Sequence, residues 1–545
     1  MRTTVPLLLL LATACGAEDD AGPPPGQVGF QVLHYDYSFD LESRQAAVVA
    51  TLLVEEPGDC VSMPMRAHDL ADVTLAGEPL RSGTLEDGVL TACGRVVDAG
   101  EEVALTATMT VPLETWGDSQ VGYSITTDAE GAPFHYLVSW VGGCDRFGPC
   151  DAAPDRFATY RFTVRHPPGT SVLCPGVIEP GESETVCTMD HRAPTYSGFG
   201  LAAGPSWVEV PLGDWGGVRA TLYDMPSVDM AGAIDVDVHA RFFAWMVERF
   251  GPYPYGDELR FFVGPTYWAG FEHPGNIALS DGLVGLRSSP IHTLHHELVH
   301  QWAGDQTTLA SVHDFVWKEA MAEYLTFVFE EEEMSQAVGL GTARYWKAIS
   351  TGALYHPVPL EQPPLLDFYS DVYGPGPMVL FRQIEALFGR DAVLAALGEL
   401  LGEERALSVA DVKAALEQAT GADLDGYIED WVVGEGAPVW PRFSLAWTQE
   451  GAGEVSYTLT QEEPEAPMGC AFALRLTGAA EESHDVWIDL GPDGVAELTG
   501  SAAPGFAVAE IELDPDAHCL ATRADPAAAP ARRVNPFLSP RAAGD

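Results

Sequence analysis

Between about residues 28 and 210, apolar and polar positions alternate with a period of two. Val103-Ala104-Leu105-Thr106-Ala107-Thr108-Met109 and Tyr160-Arg161-Phe162-Thr163-Val164 are examples, and Gly, Pro and Asp clusters separate the runs. Such alternation predicts half-buried strands, here an antiparallel β domain. The period then changes. From Asp237 to Phe250 the apolar residues Val238, Phe242, Trp245, Met246 and Phe250 fall at helical spacing, and Gly251-Pro252 stops them. A short strand, Leu259 to Val263, follows. From Ile291 to about Gly434 the pattern is mostly helical, with clear helices over Met378–Phe388, Ala392–Leu401 and Val409–Ala419. Beyond Trp440 alternation returns, as in Val486-Trp487-Ile488-Asp489-Leu490. The expected fold class is multi-domain α+β. The expected units are an N-terminal β domain (28–210), a mostly helical domain (211–439), a small β-sandwich (440–523) and a disordered Ala/Pro/Arg-rich tail (524–545). No internal repeat is visible.

Length fits this division, because 545 residues exceed what one core usually holds. With 28 basic against 80 acidic residues the formal charge is −52, which disfavours nucleic acid as a partner. The same field attracts cationic ligands, although solubility or salt adaptation explains the acidity as simply. Lysine is confined to Lys318, Lys347 and Lys413.

The first residues predict export. Arg2, the apolar run Val5 to Leu11 and then Ala12-Thr13-Ala14-Cys15 fit a signal peptide over 1–14, with lipidation of Cys15. The expected location is the bacterial cell envelope, lipid-anchored to a membrane, or secreted if the signal is an ordinary one. Residues 15–27 read as an acidic, Pro-rich tether. The other eight cysteines are an even number in an exported chain, which predicts disulfides. Nearest-neighbour pairing (60–93, 144–150, 174–187, 470–519) keeps each bridge within one domain.

The chemistry concentrates at His296-Glu297-Leu298-Val299-His300. A helix turns about 100° per residue, so His296 and His300 share a face and can present two imidazoles to one ion. Glu297 adjoins the first ligand and can reach a water at the metal. Chance alone produces this motif in about 3% of chains of this length and composition, so context matters. That context is a second helix beginning near His313, which carries Glu319 after 18 intervening residues. Two imidazoles and one carboxylate with an open fourth position favour zinc, one ion per chain. His292 and His295 are expected to pack beside the site rather than ligate.

At these residues the chain resembles peptidase family M1, the aminopeptidase N type. The resemblance also rests on Phe250-Gly251-Pro252-Tyr253-Pro254-Tyr255, Ala269-Gly270-Phe271-Glu272-His273-Pro274-Gly275, Trp302 with Gly304, Tyr373 with Gly376, Asp430-Trp431-Val432 and the segment Cys150 to Pro168. It covers roughly residues 28 to 440. It implies an N-terminal β saddle, a thermolysin-like catalytic domain and zinc bound by His296, His300 and Glu319. It further implies Glu297 as general base, Tyr373 as oxyanion donor and Glu272 as the site for a peptide's α-ammonium. Ala269, Gly270 and Phe271 would line the peptide path. Phe271 and His273 replace the usual methionine and asparagine where the first side-chain pocket is expected, and Lys318 stands where asparagine is usual. Thr326 occupies the place of a second acid, which Glu323 could supply. The large C-terminal helical domain of many members is not expected here, since the pattern after residue 440 reads as a small β unit.

The leading expectation is a zinc aminopeptidase acting on peptides with a free N-terminus. A zinc endopeptidase or other hydrolase on the same scaffold, and a non-catalytic peptide-binding lipoprotein, are the alternatives. Oligomeric state, preferred residue and physiological substrate are left open by the sequence.

Overall fold

A computed structural model describes residues 26–114, 121–285, 290–361, 363 and 372–524. The signal segment, Cys15, most of the tether and all but the first residue of the tail lie outside these.

In the N-terminal part, alternation becomes burial. In the strand Gln45–Glu56, Ala46, Val48, Ala50, Leu52 and Val54 face inward. The first four pair in register with Met109, Ala107, Leu105 and Val103 of the strand Glu102–Thr110, so both strands offer one apolar face to the same core. These strands belong to an eight-stranded sheet, and a four-stranded sheet lies beside it. Phe199 packs between them, its ring within 5.2 to 6.0 Å of Tyr35, Tyr37, Tyr160 and Phe162.

One pairing departs from the antiparallel expectation. Gly29–Asp40 runs parallel to Phe157–Arg165, with Tyr35 opposite Tyr160 and Tyr37 opposite Phe162. Period-two alternation reports which face is buried, not strand direction, so the sheet is mixed.

A five-stranded sheet begins at Val208. Its strands Val218–Asp224, Glu258–Gly264 and Asn276–Ser280 are parallel, and Gly270–Phe271 caps one edge antiparallel to the last. The helix Val236–Phe250 makes the crossover between the first two. Asp235 caps it by accepting from the Val238 amide, and Gly251, at φ 93°, ends it. Helices follow at Pro290–His300, Phe315–Phe329, Gln336–Ser350, Arg390–Leu400, Val409–Thr420 and Asp425–Trp431. The stretch Met378–Phe388 opens with a wide π-type turn before becoming α-helical at Gln383. Among the described residues no helix is long and apolar enough to cross a membrane.

Residues 442–523 form a four-stranded and a three-stranded sheet. They dock on the helices of the preceding part. Lys347 Nζ lies 2.7 Å from the buried Asp514 carboxylate, the Leu520 amide donates to Gln383 Oε1, and Trp431 Nε1 donates to the Gly469 carbonyl.

The four disulfides join Cys60 to Cys93, Cys144 to Cys150, Cys174 to Cys187 and Cys470 to Cys519, the nearest-neighbour set. The last spans 49 residues. By chain-entropy accounting, replacing Cys470 and Cys519 together by serine is expected to cost about 4 kcal/mol of the stability of this C-terminal unit. Urea denaturation followed by tryptophan fluorescence measures it, and an unchanged transition would show that the bridge constrains little.

Candidate metal centre

The two motif helices, Pro290–His300 and Phe315–Phe329, pack against each other, and every residue of the second is buried. His296 and His300, one turn apart, bring their Nε2 atoms to 3.1 Å. Glu319 Oε2 lies 3.4 and 3.6 Å from those two nitrogens. The three side chains thus converge from two helices on one point, as their spacing predicts.

The remaining imidazole nitrogens are occupied. His296 Nδ1 sits 2.8 Å from Glu323 Oε1, and His300 Nδ1 sits 3.0 Å from the Ala303 carbonyl. Acceptors at both Nδ1 atoms place the ring protons there, which directs the Nε2 lone pairs toward the point shared with Glu319. Glu323 is itself fixed, since its other oxygen accepts from Trp346 Nε1 at 2.8 Å. His292 lies between Glu323 and Glu330, and charges from both hold its pKa well above the usual histidine value despite burial. His295 is stacked 4.1 Å from Phe242 and meets His239 edge-on at 4.8 Å, and burial pushes its pKa well down. Neither belongs to the group of converging donors, and the hydroxyl of the buried Thr326 has no hydrogen-bond partner.

The residues fit a divalent zinc ion. Three donor atoms gather within 4.8 Å, and Glu319 Oε2 is a buried carboxylate oxygen with no hydrogen-bond donor. The second acidic cluster, Glu417, Asp423 and Asp425, is largely exposed and already carries Lys413, so it resembles a solvated ion-pair surface.

Around the ligands lies a small pocket of about 30 Å³. Its walls include Ala269, Gly270, Phe271 and Glu272 from the sheet edge, Glu297 from the motif helix and Trp140 from the N-terminal part. Glu297 lies against Gly270 so closely that a Cβ there would fall 2.3 Å from its Oε1. Burial pushes the Glu297 carboxyl up to about 8, with Glu272 and Glu319 adding to the rise against the pull of His296 and Lys318. Tyr373 is buried with its ring centroid 6.5 Å from that of His296. Tyr369, its neighbour in sequence, lies outside the described residues.

Residues 236–431 match the peptidase family M1 domain. The chain carries a family M1 peptidase domain. Aminopeptidase N of Streptomyces lividans is 26% identical over 432 residues, 68% of this chain and 48% of that protein. A probable aminopeptidase 1 of Sulfurisphaera tokodaii is 24% identical over 317 residues, 54% of this chain and 40% of that protein. The chain therefore spans about half the length of the curated relatives it matches. Among solved structures, an M1 zinc metallopeptidase from Deinococcus radiodurans is 22% identical with a TM-score of 0.63, covering 76% of this chain and 95% of that one. A form of it bound to a Tyr-Ser-Ala substrate gives a TM-score of 0.62 at 22% identity, covering 75% and 95%. These two likenesses carry the fold.

Against the M1 pattern, one expectation fails. His273 does not line the pocket. It is fully buried, 3.4 Å from the Tyr136 hydroxyl and 3.1 Å from the Ser197 carbonyl, and fills space that a side chain at Gly200 would occupy. The place opened by Gly200, far away in sequence, decides where the ring goes.

Other residues escaped the sequence reading. Trp140 faces Trp268 at 5.2 Å and brings the N-terminal part into the pocket of the M1 domain. Gln301, next to a ligand, donates to the Glu272 carbonyl and accepts from the Gly275 amide, so it ties the motif helix to the loop carrying Glu272. Its place beside His300 was the available signal.

Because Glu323 fixes the orientation of His296, Glu323→Gln is expected to weaken zinc binding about 10- to 100-fold. Competition against a chelating dye measures this. Unaltered affinity would mean that His296 is held without its carboxylate partner.

Proposed function

We propose that this protein is a zinc-dependent aminopeptidase that removes N-terminal residues from peptides. The observation that carries the reading is the juxtaposition, in one pocket, of a three-ligand metal site, the buried carboxyl of Glu297 and a second carboxylate, Glu272. The aminopeptidase names of the curated relatives support it.

Zinc held by His296, His300 and Glu319 would polarise the scissile carbonyl and acidify a water. Glu297 takes the proton of the attacking water and passes it to the leaving amine. A buried carboxyl whose proton is held near neutral pH suits both transfers. Tyr373 donates to the oxyanion that develops on the former carbonyl oxygen. Glu272 takes the substrate's α-ammonium, which places the scissile bond one residue from the free end. The edge strand at Ala269, Gly270 and Phe271 pairs with the peptide backbone, as an exposed edge does. Phe271 and Trp140 wall the space for the first side chain. Gly270 has to be glycine, because any Cβ would displace the base.

The two C-terminal sheets we read as a small sandwich that braces the helices after the site. We also place the protein in the cell envelope, anchored through Cys15, on the strength of Arg2, the apolar run and the small residues before the cysteine. Cys15→Ser is expected to move the protein from the membrane pellet to the soluble fraction, and pelleting of both forms alike would remove the anchor.

Glu297→Gln is expected to lower kcat by at least about 10³-fold while zinc content stays at one per chain. The same assay compares a peptide with its N-acetylated form. Metal-dependent release of the first residue from the free peptide alone supports an exopeptidase. Equal cleavage of both, with internal cuts by mass spectrometry, would turn the reading toward an endopeptidase.

A further inference from the structure

Lys318 immediately precedes the ligand Glu319, yet its side chain is spent inside the pocket. Its Nζ lies 2.7 Å from Glu272 Oε1 and 2.7 Å from Glu319 Oε1. The other Glu319 oxygen, Oε2, faces the two imidazoles. The lysine is fully buried, and the faces of Tyr196 and Phe315 stand 5.8 and 5.5 Å from its ammonium. Its stem runs past Gly304, where an added Cβ would come within 2.9 Å of Cε. Tyr196 holds that passage by donating to the Gly304 carbonyl. This is a place shaped for a lysine side chain.

On the reading that Glu272 receives the α-ammonium, we propose that Lys318 is a resident ammonium on the same carboxylate, so that a peptide's free amino end must share Glu272 with an internal cation. Lys318 cannot swing away cheaply. Doing so would leave two buried carboxylates without their counter-charge. An incoming ammonium therefore meets a carboxylate already paired and a like charge beside it. Recognition of the free amino end is weakened, and more of the peptide's binding falls on its backbone and first side chain. In the same contact Lys318 holds Glu319 Oε1, leaving Oε2 as the ligating oxygen. It is a positioning residue for both the ammonium subsite and the metal ligand.

The test uses the zinc-loaded full chain and two probes, phenylalanine amide and its des-amino analogue 3-phenylpropanamide. Isothermal titration gives the ratio of their affinities, which a general loss of stability does not move. The ratio is expected to rise roughly tenfold in favour of the amine in Lys318→Met, since one charge-assisted contact is released to the ligand. The rise is expected to vanish in Lys318→Met/Glu272→Gln, a double variant that removes the paired charges together and keeps the protein folded if the single variant does not. A ratio unchanged or lowered in Lys318→Met, with Glu272→Gln alone abolishing the amine preference, would overturn the role of Lys318 and leave that of Glu272 standing. Should Glu272→Gln leave the amine preference of both backgrounds intact, the ammonium site itself is elsewhere and both assignments fall.

Discussion

The packing of Pro290–His300 against Phe315–Phe329 is the contact on which the rest of the molecule turns. One helix supplies two imidazoles, the other supplies two carboxylates one turn apart, Glu319 and Glu323. Glu319 meets the Nε2 edges of both rings, where a metal would be held, and Glu323 meets the Nδ1 edge of His296. Burying this much charge between helices is unfavourable unless each group has a partner. The surrounding side chains supply them: Lys318 for Glu319, Trp346 and His292 for Glu323, Glu330 for His292. The second helix is buried on every side, so its position is set from all directions. An error in its register by one residue would turn both carboxylates from the rings.

Periodicity and motif made much of this legible. The spacing of His296 and His300 states their common face, and a helix carrying Glu319 at a loop's distance states the third ligand. Helix 236–250 was readable because its apolar set and its Gly-Pro stop agree. Glu323 was half legible, since it lies one turn beyond Glu319 on the same face. What could not be read depends on contacts between distant segments. His273 is drawn away from the pocket by the space beside Gly200. Trp140 reaches the pocket from the loop after the strand Pro133–Val138. The parallel pairing of the strands at Tyr35 and Tyr160 leaves no trace in an alternation that reports only inward and outward. The lysine beside Glu319 was visible as a departure from the family, but its two partners were not.

The pocket also explains why its chemistry is concentrated rather than merely acidic. The chain's overall negative charge is spread over a solvated surface and is screened there. Inside, the same charge type acts at short range without water. Burial raises Glu297, whereas Lys318 and the imidazoles outweigh burial at Glu319 and keep it well below the usual carboxylate range. Two glutamates within one site are thereby pushed in opposite directions, which suits one to carry a proton and the other to ligate.

The wall formed by Trp140 has a consequence for how such a chain can diverge. The pocket's boundary is drawn partly by the N-terminal β part and partly by the sheet edge of the helical part, so the seam between the two units runs through the cleft. Neither half is a self-sufficient module of heredity. A recombination that exchanged the N-terminal part for a distant cousin's would remodel the cleft while leaving every metal ligand untouched, and selectivity among peptides could drift with the hydrolytic core conserved.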